Sequence, residues 1–104
     1  MPKEVVWSQR AEFDLKEIIS FFNERNQSPG YAKKLISKFE KAGNILASFP
    51  FVGLKTDVDN IRFLIIKYYL LFYEVETGRI VIHSIWDSRQ DPDQMKKLIE
   101  ELGE

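Results

Sequence analysis

Seven side chains in this sequence are of a type and in a position to do chemistry. Arg62, Arg89, Lys55 and Lys67 offer positive charge, which stabilises an anion or an anionic transition state. His83, Tyr69 and Tyr73 offer proton transfer. There is no Cys, so thiol nucleophiles, disulfides and thiolate-held metals are excluded. No cofactor or metal motif is visible. Each of the seven also has a structural reading. Arg89 follows the last strand, where it either contacts a substrate or target, or pairs at the rim with Asp87 or Asp91. Arg62 shares a strand face with Leu64 and Ile66, and either serves a site or bridges loop carboxylates such as Asp57 or Asp59. Lys55, in a loop, and Lys67, at a hairpin, read as solvated charges. His83, the only histidine, shares a face by alternation with Val81 and Ile85 and reads as a hydrogen-bonded structural residue. Tyr69 and Tyr73 share a face with Leu71 and Val75 and read as core aromatics with a hydroxyl at the edge.

The elements that must position these residues are marked by changes of period. Val5, Val6 and Trp7 make a short strand-like start, and Ser8 is a good N-cap. Ala11, Leu15, Ile18 and Phe22 then recur at helical spacing, with Ile19 widening the stripe. The polar run 23–27 ends that helix. Ser28 and Pro29 restart one, as cap and first helical residue. Its apolar face is Ala32, Leu35, Ile36, Phe39, Ala42, Ile45, Leu46 and Phe49, and Pro50 stops it. The short polar turn between the two makes an antiparallel helical hairpin. Residues 51–60 read as a loop. Segments 61–66, 68–75 and 79–86 are rich in β-branched and aromatic residues and predict an antiparallel meander. Gly78 sits in a turn where positive φ is expected. Asp91 and Pro92 open a short amphipathic helix carrying Met95, Leu98, Ile99 and Leu102, which ends at Gly103. The order is β-α-α-β-β-β-α, an α+β arrangement with a helical hairpin laid on an antiparallel sheet.

Length and composition set the remaining bounds. Residues 1–104 suffice for one domain and one core. Aromatic residues are 13% of the chain, with eight Phe, so large side chains must fill that core. The N-terminus lacks the features of a signal peptide, and the apolar run near Leu64 is too short, and broken by Lys67, to span a bilayer. A cytoplasmic protein with no membrane association is expected. The net charge is −1, so nucleic-acid binding would require segregated charge, and direct DNA binding by the chain alone is not expected.

Several of these residues, in this order, resemble the RelE/ParE toxin superfamily. Val6-Trp7-Ser8, Ala11, Asp14-Leu15 and Ile18 resemble its opening. Phe49-Pro50 followed by Gly53 resembles its Pro-x-x-Gly link into the sheet. Arg62 resembles the Arg that opens the second strand. Residues 68–75, with their Tyr residues, resemble the central strand. Residues 80–86, followed by Asp87 and Arg89, resemble the last strand and its trailing Arg. The resemblance runs from Val5 to about Pro92. It implies an N-terminal short strand and helical hairpin packed on an antiparallel sheet, with a short C-terminal helix. It implies the toxin of a type II toxin–antitoxin, plasmid-stabilising pair, neutralised by an antitoxin that wraps across helices and sheet. RelE-like members cut mRNA on the ribosome. ParE-like members resemble them in fold but inhibit DNA gyrase without cutting RNA.

Cleaving RNA without a metal requires activation of a 2′-hydroxyl, stabilisation of a phosphorane-like charge and protonation of a leaving oxygen. Arg89 and Arg62 are the matching residues: catalytic in a nuclease, target-contacting otherwise. Two departures from the nuclease pattern stand out. Leu70 occupies a central-strand position where nuclease members carry a cation. Neither Tyr nor His follows Arg89 in residues 90–95, where Asp91 and Asp93 make the chain acidic. The expectation is therefore a ParE-like toxin that acts by protein contact and is not a nuclease. The alternatives are a ribosome-dependent mRNA endonuclease using Arg62 and Arg89, and a non-toxic interaction module.

Overall fold

The computed structural model of the chain describes residues 2–26 and 29–104. Ser8 decides where the first strand becomes a helix. β1 (Glu4–Trp7) ends there, Ser8 Oγ accepts from the Ala11 N–H at 3.1 Å, and its carbonyl accepts from Glu12 at 3.0 Å. These are N-cap contacts, and α1 (Gln9–Asn26) follows. Glu24 and Arg25 are good helix formers, and α1 continues through most of the polar run expected to end it. α2 (Pro29–Ser48) opens on its proline and stops before Pro50. The expected cap at Ser28 lies outside the described residues.

The second half of the chain forms β2 (Leu54–Lys55), β3 (Arg62–Ile66), β4 (Tyr69–Glu76), β5 (Arg79–Asp87) and α3 (Pro92–Leu102). β3, β4 and β5 make the expected antiparallel meander. Gly78 turns it at φ +79°, and Lys67 turns the β3–β4 hairpin at φ +55°. Two pairings extend the sheet beyond the expected meander. β1 joins β5 in parallel, Glu4 opposite Arg79 through Trp7 opposite Ile82. β2, read from sequence as loop, pairs antiparallel with β3. The result is a five-stranded mixed sheet in the order β1-β5-β4-β3-β2, and the α+β class stands.

The core lies between the helical hairpin and one face of this sheet. Leu35, Phe39, Ala42 and Leu46 of α2, with Ala11 of α1, meet Tyr69, Leu71, Tyr73, Ile80, Ile82 and Ile85. Phe39 and Leu46 are wholly buried, while Leu15, Ile18 and Phe22 pack on the margin, partly buried. α3 is capped as expected, with Asp91 accepting from the Asp93 N–H at 2.9 Å. None of its residues is fully buried.

A bulge in β5 changes which residues share a face. Phe72 lies opposite Ser84 and Tyr73 opposite Ile82, so His83 has no partner across the ladder. Past it the alternation inverts, and Ile85 joins Ile80 and Ile82 in the core. The expected common face of Val81, His83 and Ile85 is thereby corrected. β1 has ended at this level, and the start of α1 satisfies the open edge of β5. Ser8 donates its N–H to Ile82 O at 2.9 Å and its hydroxyl to His83 O at 2.9 Å. Asp14 accepts from Ser84 Oγ at 2.6 Å and from the Ile85 N–H at 3.0 Å.

Candidate functional site

The end of β5 carries Arg89. The chain turns off the sheet as Ser88 donates to Tyr68 O at 2.7 Å and Gln90 to Asp87 O at 3.0 Å. Within that turn the Asp87 carboxylate takes three hydrogen bonds from Arg89: its backbone N–H at 2.9 Å, Nε at 2.9 Å and Nη2 at 2.7 Å. The guanidinium also lies 4.7 Å from the Tyr68 ring centroid. It is therefore oriented by a fork of charge-assisted bonds and an aromatic face while remaining exposed. The expected rim pairing with Asp87 is present. Arg89 holds the Asp87 carboxyl below its ordinary carboxylate range, mainly by hydrogen bonding, while partial burial opposes the shift.

Beside this pair is a cavity of about 340 Å³, lined among others by Asp14, Glu17, Phe21, Tyr69, Asp87 and Arg89. Burial pushes the Tyr69 hydroxyl above its ordinary pKa, and the Asp87 charge adds to the shift. A phenol so held stays protonated at neutral pH and cannot serve as a base. Asp14 is already engaged with Ser84 and Ile85. The cavity thus has three carboxylates in its lining and a guanidinium neutralised by one of them. A phosphodiester entering it would meet negative charge. Its rim suits a protein surface better, since Phe21 and Tyr68 are about half exposed beside the guanidinium. Aromatic side chains and Arg are the residue types that concentrate binding energy at interfaces.

Arg62 lies at the other end of the meander and does a different job. Its Nη1 donates to Gly53 O at 3.0 Å and reaches Phe51 O at 3.4 Å, and the guanidinium sits 5.1 Å from the Phe51 ring centroid. It binds backbone carbonyls of the α2–β2 link, not the Asp57 or Asp59 carboxylates. Tyr73 completes the clamp: it donates to Pro50 O at 2.8 Å and accepts from the buried Gly53 N–H at 2.9 Å. Burial raises the Tyr73 pKa, against a lowering by the Gly53 bond and the Arg62 charge. Gly53 is required here, because a Cβ would overlap the Tyr73 hydroxyl and lie 2.8 Å from Phe63 O. Arg62 is opposite Tyr73, and Tyr69 opposite Asp87. Four residues of β4 separate the two levels, roughly 13 Å at about 3.3 Å per residue. The two arginines do not form one site.

The other candidates stay apart from Arg89. Lys55 is exposed on β2 opposite Arg62. Lys67 places its ammonium 5.5 Å from the Tyr31 ring centroid. His83 pairs with Glu74 at 2.9 Å, the structural role expected of it. Leu70 pairs with Trp86 and is an apolar strand residue. Among the described residues no group of three or more His, Asp or Glu side chains is placed to hold a metal ion. Among the described residues, no helix is long and apolar enough to cross a membrane. Sequence reasoning did not connect Asp14, Glu17 and Phe21 with Arg89. The available signal was their spacing on α1, which puts Asp14 and Glu17 one turn apart beside the Ile18 stripe.

The family model for the ParE toxin of the type II toxin–antitoxin system parDE matches residues 5–92. The chain belongs to this family and is the toxin of a type II toxin–antitoxin system. Solved structures share its fold. A chain of the chromosomal ParDE system from P. aeruginosa is 20% identical, with a TM-score of 0.69 over 80% of this chain and 92% of that one. A chain of the RelBE2 toxin–antitoxin complex from Mycobacterium tuberculosis is also 20% identical, with a TM-score of 0.58 over 82% of this chain and 96% of that one. No curated protein matches the sequence. One neighbour is named for ParDE and the other for RelBE, so fold alone does not choose the mode of action.

Proposed function

We propose that this toxin acts in the ParE-like manner, by protein contact and without cutting RNA, with DNA gyrase as its target. A separately encoded antitoxin restrains it, as in a plasmid-stabilising pair. The observation that carries this reading is the bidentate Asp87–Arg89 pair at a cavity whose other ionised side chains, Asp14 and Glu17, are acidic. A nuclease would need that guanidinium free for the phosphate, a second cation and a proton carrier. Arg62 is occupied at the far end of the sheet, Tyr73 by Pro50 and Gly53, and His83 by Glu74. Lacking general acid–base help alone forfeits about 10²–10⁴ in rate, and losing one positioned charge on the transition state about 10²–10³ more. The RelE-like alternative has one feature in its favour, the shared cavity of Tyr69 and Arg89. Tyr69 there supplies at most a proton donor.

The test is induction of the chain and of its Arg89→Ala variant, with plasmid supercoiling and primer extension on a translated message followed in parallel. Altered supercoiling with intact message, weakened in Arg89→Ala, is expected. Codon-positioned cuts that vanish in Arg89→Ala would replace this reading with the endonuclease. Healthy cells with neither effect would leave an interaction module.

A further inference from the structure

Of the nine large apolar side chains most exposed among the described residues, six stand at one corner of the molecule: Ile45, Phe49, Phe51, Val52, Leu54 and Ile65. A concentration of this kind marks a contact surface. Its centre is the turn that links α2 to β2, where Phe49, Phe51 and Val52 are 65%, 64% and 55% exposed. The turn is braced from behind. Tyr73 holds Pro50 O and the Gly53 N–H, and Arg62 holds Gly53 O and Phe51 O. Cations flank it: Lys38 and Lys41 line the same surface as Ile45 and Val52, and Lys55 follows Leu54, exposed. No acidic residue lines that surface; the next in sequence, Asp57 and Asp59, come beyond Lys55. The other flank of α2 carries the opposite pattern. There a groove of about 440 Å³ runs between β1 and the helices, with Val5, Trp7, Leu15 and Ile36 in its lining and the carboxylates of Glu4, Glu12 and Glu40 beside them. No cation lines it. The nearby Lys3 and Arg79 are both engaged with Glu76, at 3.1 and 2.6 Å.

We infer that the chain associates head to tail with a second copy of itself, the braced apolar turn of one copy seated in the acid-lined groove of the next. Phe49, Phe51 and Val52 cover the apolar lining, and Lys41 and Lys55 meet the carboxylates of Glu12 and Glu40. The two surfaces are each other's complement in both respects, apolar against apolar and cation against carboxylate. Opposite charge supplies encounter rate and register, and a turn already held by Tyr73 and Arg62 has little freedom left to lose on docking. A net charge of −1 puts little general repulsion between copies. Two-fold pairing of like surfaces fits worse, since it sets lysines on lysines or glutamates on glutamates. The turn and the groove lie on opposite flanks of α2, so each added copy leaves one of each unfilled. Such a heterologous contact grows past the dimer, into a ring or an open chain. The inference is independent of the cellular target, because both surfaces belong to this chain.

The test is sedimentation velocity of the purified chain from micromolar to millimolar concentration, at low and high salt. Species larger than a dimer should grow with concentration and recede with salt. Two variants then exchange the charges at exposed positions: Lys41→Glu/Lys55→Glu on the turn and Glu12→Lys/Glu40→Lys at the groove. Each alone should associate at least tenfold more weakly than wild type, because like charges now face each other. An equimolar mixture of the two should recover association to within about threefold of wild type, since each reversed surface finds its opposite on the other chain. Phe49→Ser/Val52→Ser should disperse the assembly with its charges intact. In wild type, the amides that shift with concentration should fall in residues 49–55 and along Glu4–Trp7. A chain that stays monomeric throughout, a dimer that grows no further, or a mixture that fails to recover would overturn the inference. So would shifts centred on Leu64–Ile66, or a monomer that instead floats with phosphatidylglycerol vesicles, which would give the apolar turn to a membrane.

Discussion

The two ends of the β3–β5 meander carry the two arginines that look most alike in sequence, and the fold gives them opposite tasks. At the Arg62 end two polar side chains point inward to the chain itself: Arg62 and Tyr73 grip the carbonyls of Phe51, Gly53 and Pro50. At the Arg89 end the guanidinium is held by its own neighbour, Asp87, and left open to the outside. One cation maintains the architecture and the other is displayed by it. A charged side chain on the sheet is therefore informative only once its acceptors are known. Backbone carbonyls indicate a brace, whereas a local carboxylate in an exposed turn indicates an oriented contact.

This contrast yields a graded set of effects. Phe39 lies wholly buried in the core and sets the scale. Phe39→Ala should lose about 3–5 kcal/mol in denaturant unfolding, and a loss under about 1 kcal/mol would mean that the core is misassigned. Tyr73→Phe comes next. It strips the acceptor from a buried N–H and the donor from a carbonyl, and should cost about 1–3 kcal/mol. Its native pKa is raised, so the folded state favours the protonated phenol. That contribution is fully present below the unfolded pKa of about 10 and is lost as pH rises through the higher folded value. Wild-type stability should fall at alkaline pH, and less so in Tyr73→Phe. Arg62→Met removes the charged bond to Gly53 O and should cost about 1–2 kcal/mol, with no change in which protein surfaces bind.

The smallest effect on stability belongs to Arg89→Ala, whose unfolding midpoint should match wild type because the pair is exposed. Its signature is a titration. The lowered Asp87 pKa means the pair contributes above the ordinary carboxylate pKa and is lost as pH falls through the lowered folded value. In Arg89→Ala the Asp87 carboxyl, followed by NMR, should titrate nearer the ordinary value of about 3.9. Arg62→Met as harmless as Arg89→Ala, or Arg89→Ala as damaging as Tyr73→Phe, would erase the distinction between the two ends.

What was legible in the sequence follows from which signals are local. The helices announce themselves through apolar period, Ser8 and Asp91 through capping, and Gly78 through its turn. β2 is two residues long, too short to show any period. The parallel partnership of β1 and β5 joins residues far apart in the chain, and no local pattern carries it. The β5 bulge inverts alternation at His83, which is why strict alternation misplaced Ile85. Arg62 was recognisable as important, but its acceptors are backbone carbonyls nine and eleven residues upstream, and carbonyls have no sequence identity. Arg89 fared better because its partner sits two residues away. The carboxylates of α1 that share its cavity come from the other half of the chain.

The parallel pairing of β1 with β5 also bears on how the protein is made. Glu4 lies opposite Arg79 and Trp7 opposite Ile82, so the first strand waits for a partner 75 positions later in the chain. At a synthesis rate of about 5–20 residues per second the wait is roughly 4–15 seconds. Contacts of such span also close slowly, since the loop entropy must be met first. Until β5 emerges, Ser8 has no carbonyl of Ile82 or His83 to hold and Asp14 no Ile85 amide. The register of the N-terminal strand, the seating of α1 and the wall of the Arg89 cavity are therefore all settled in one late event. Arg89 itself is translated after that strand. The display surface is complete only once Arg89 has been made, and a chain that stops before that residue carries its aromatic rim without the guanidinium.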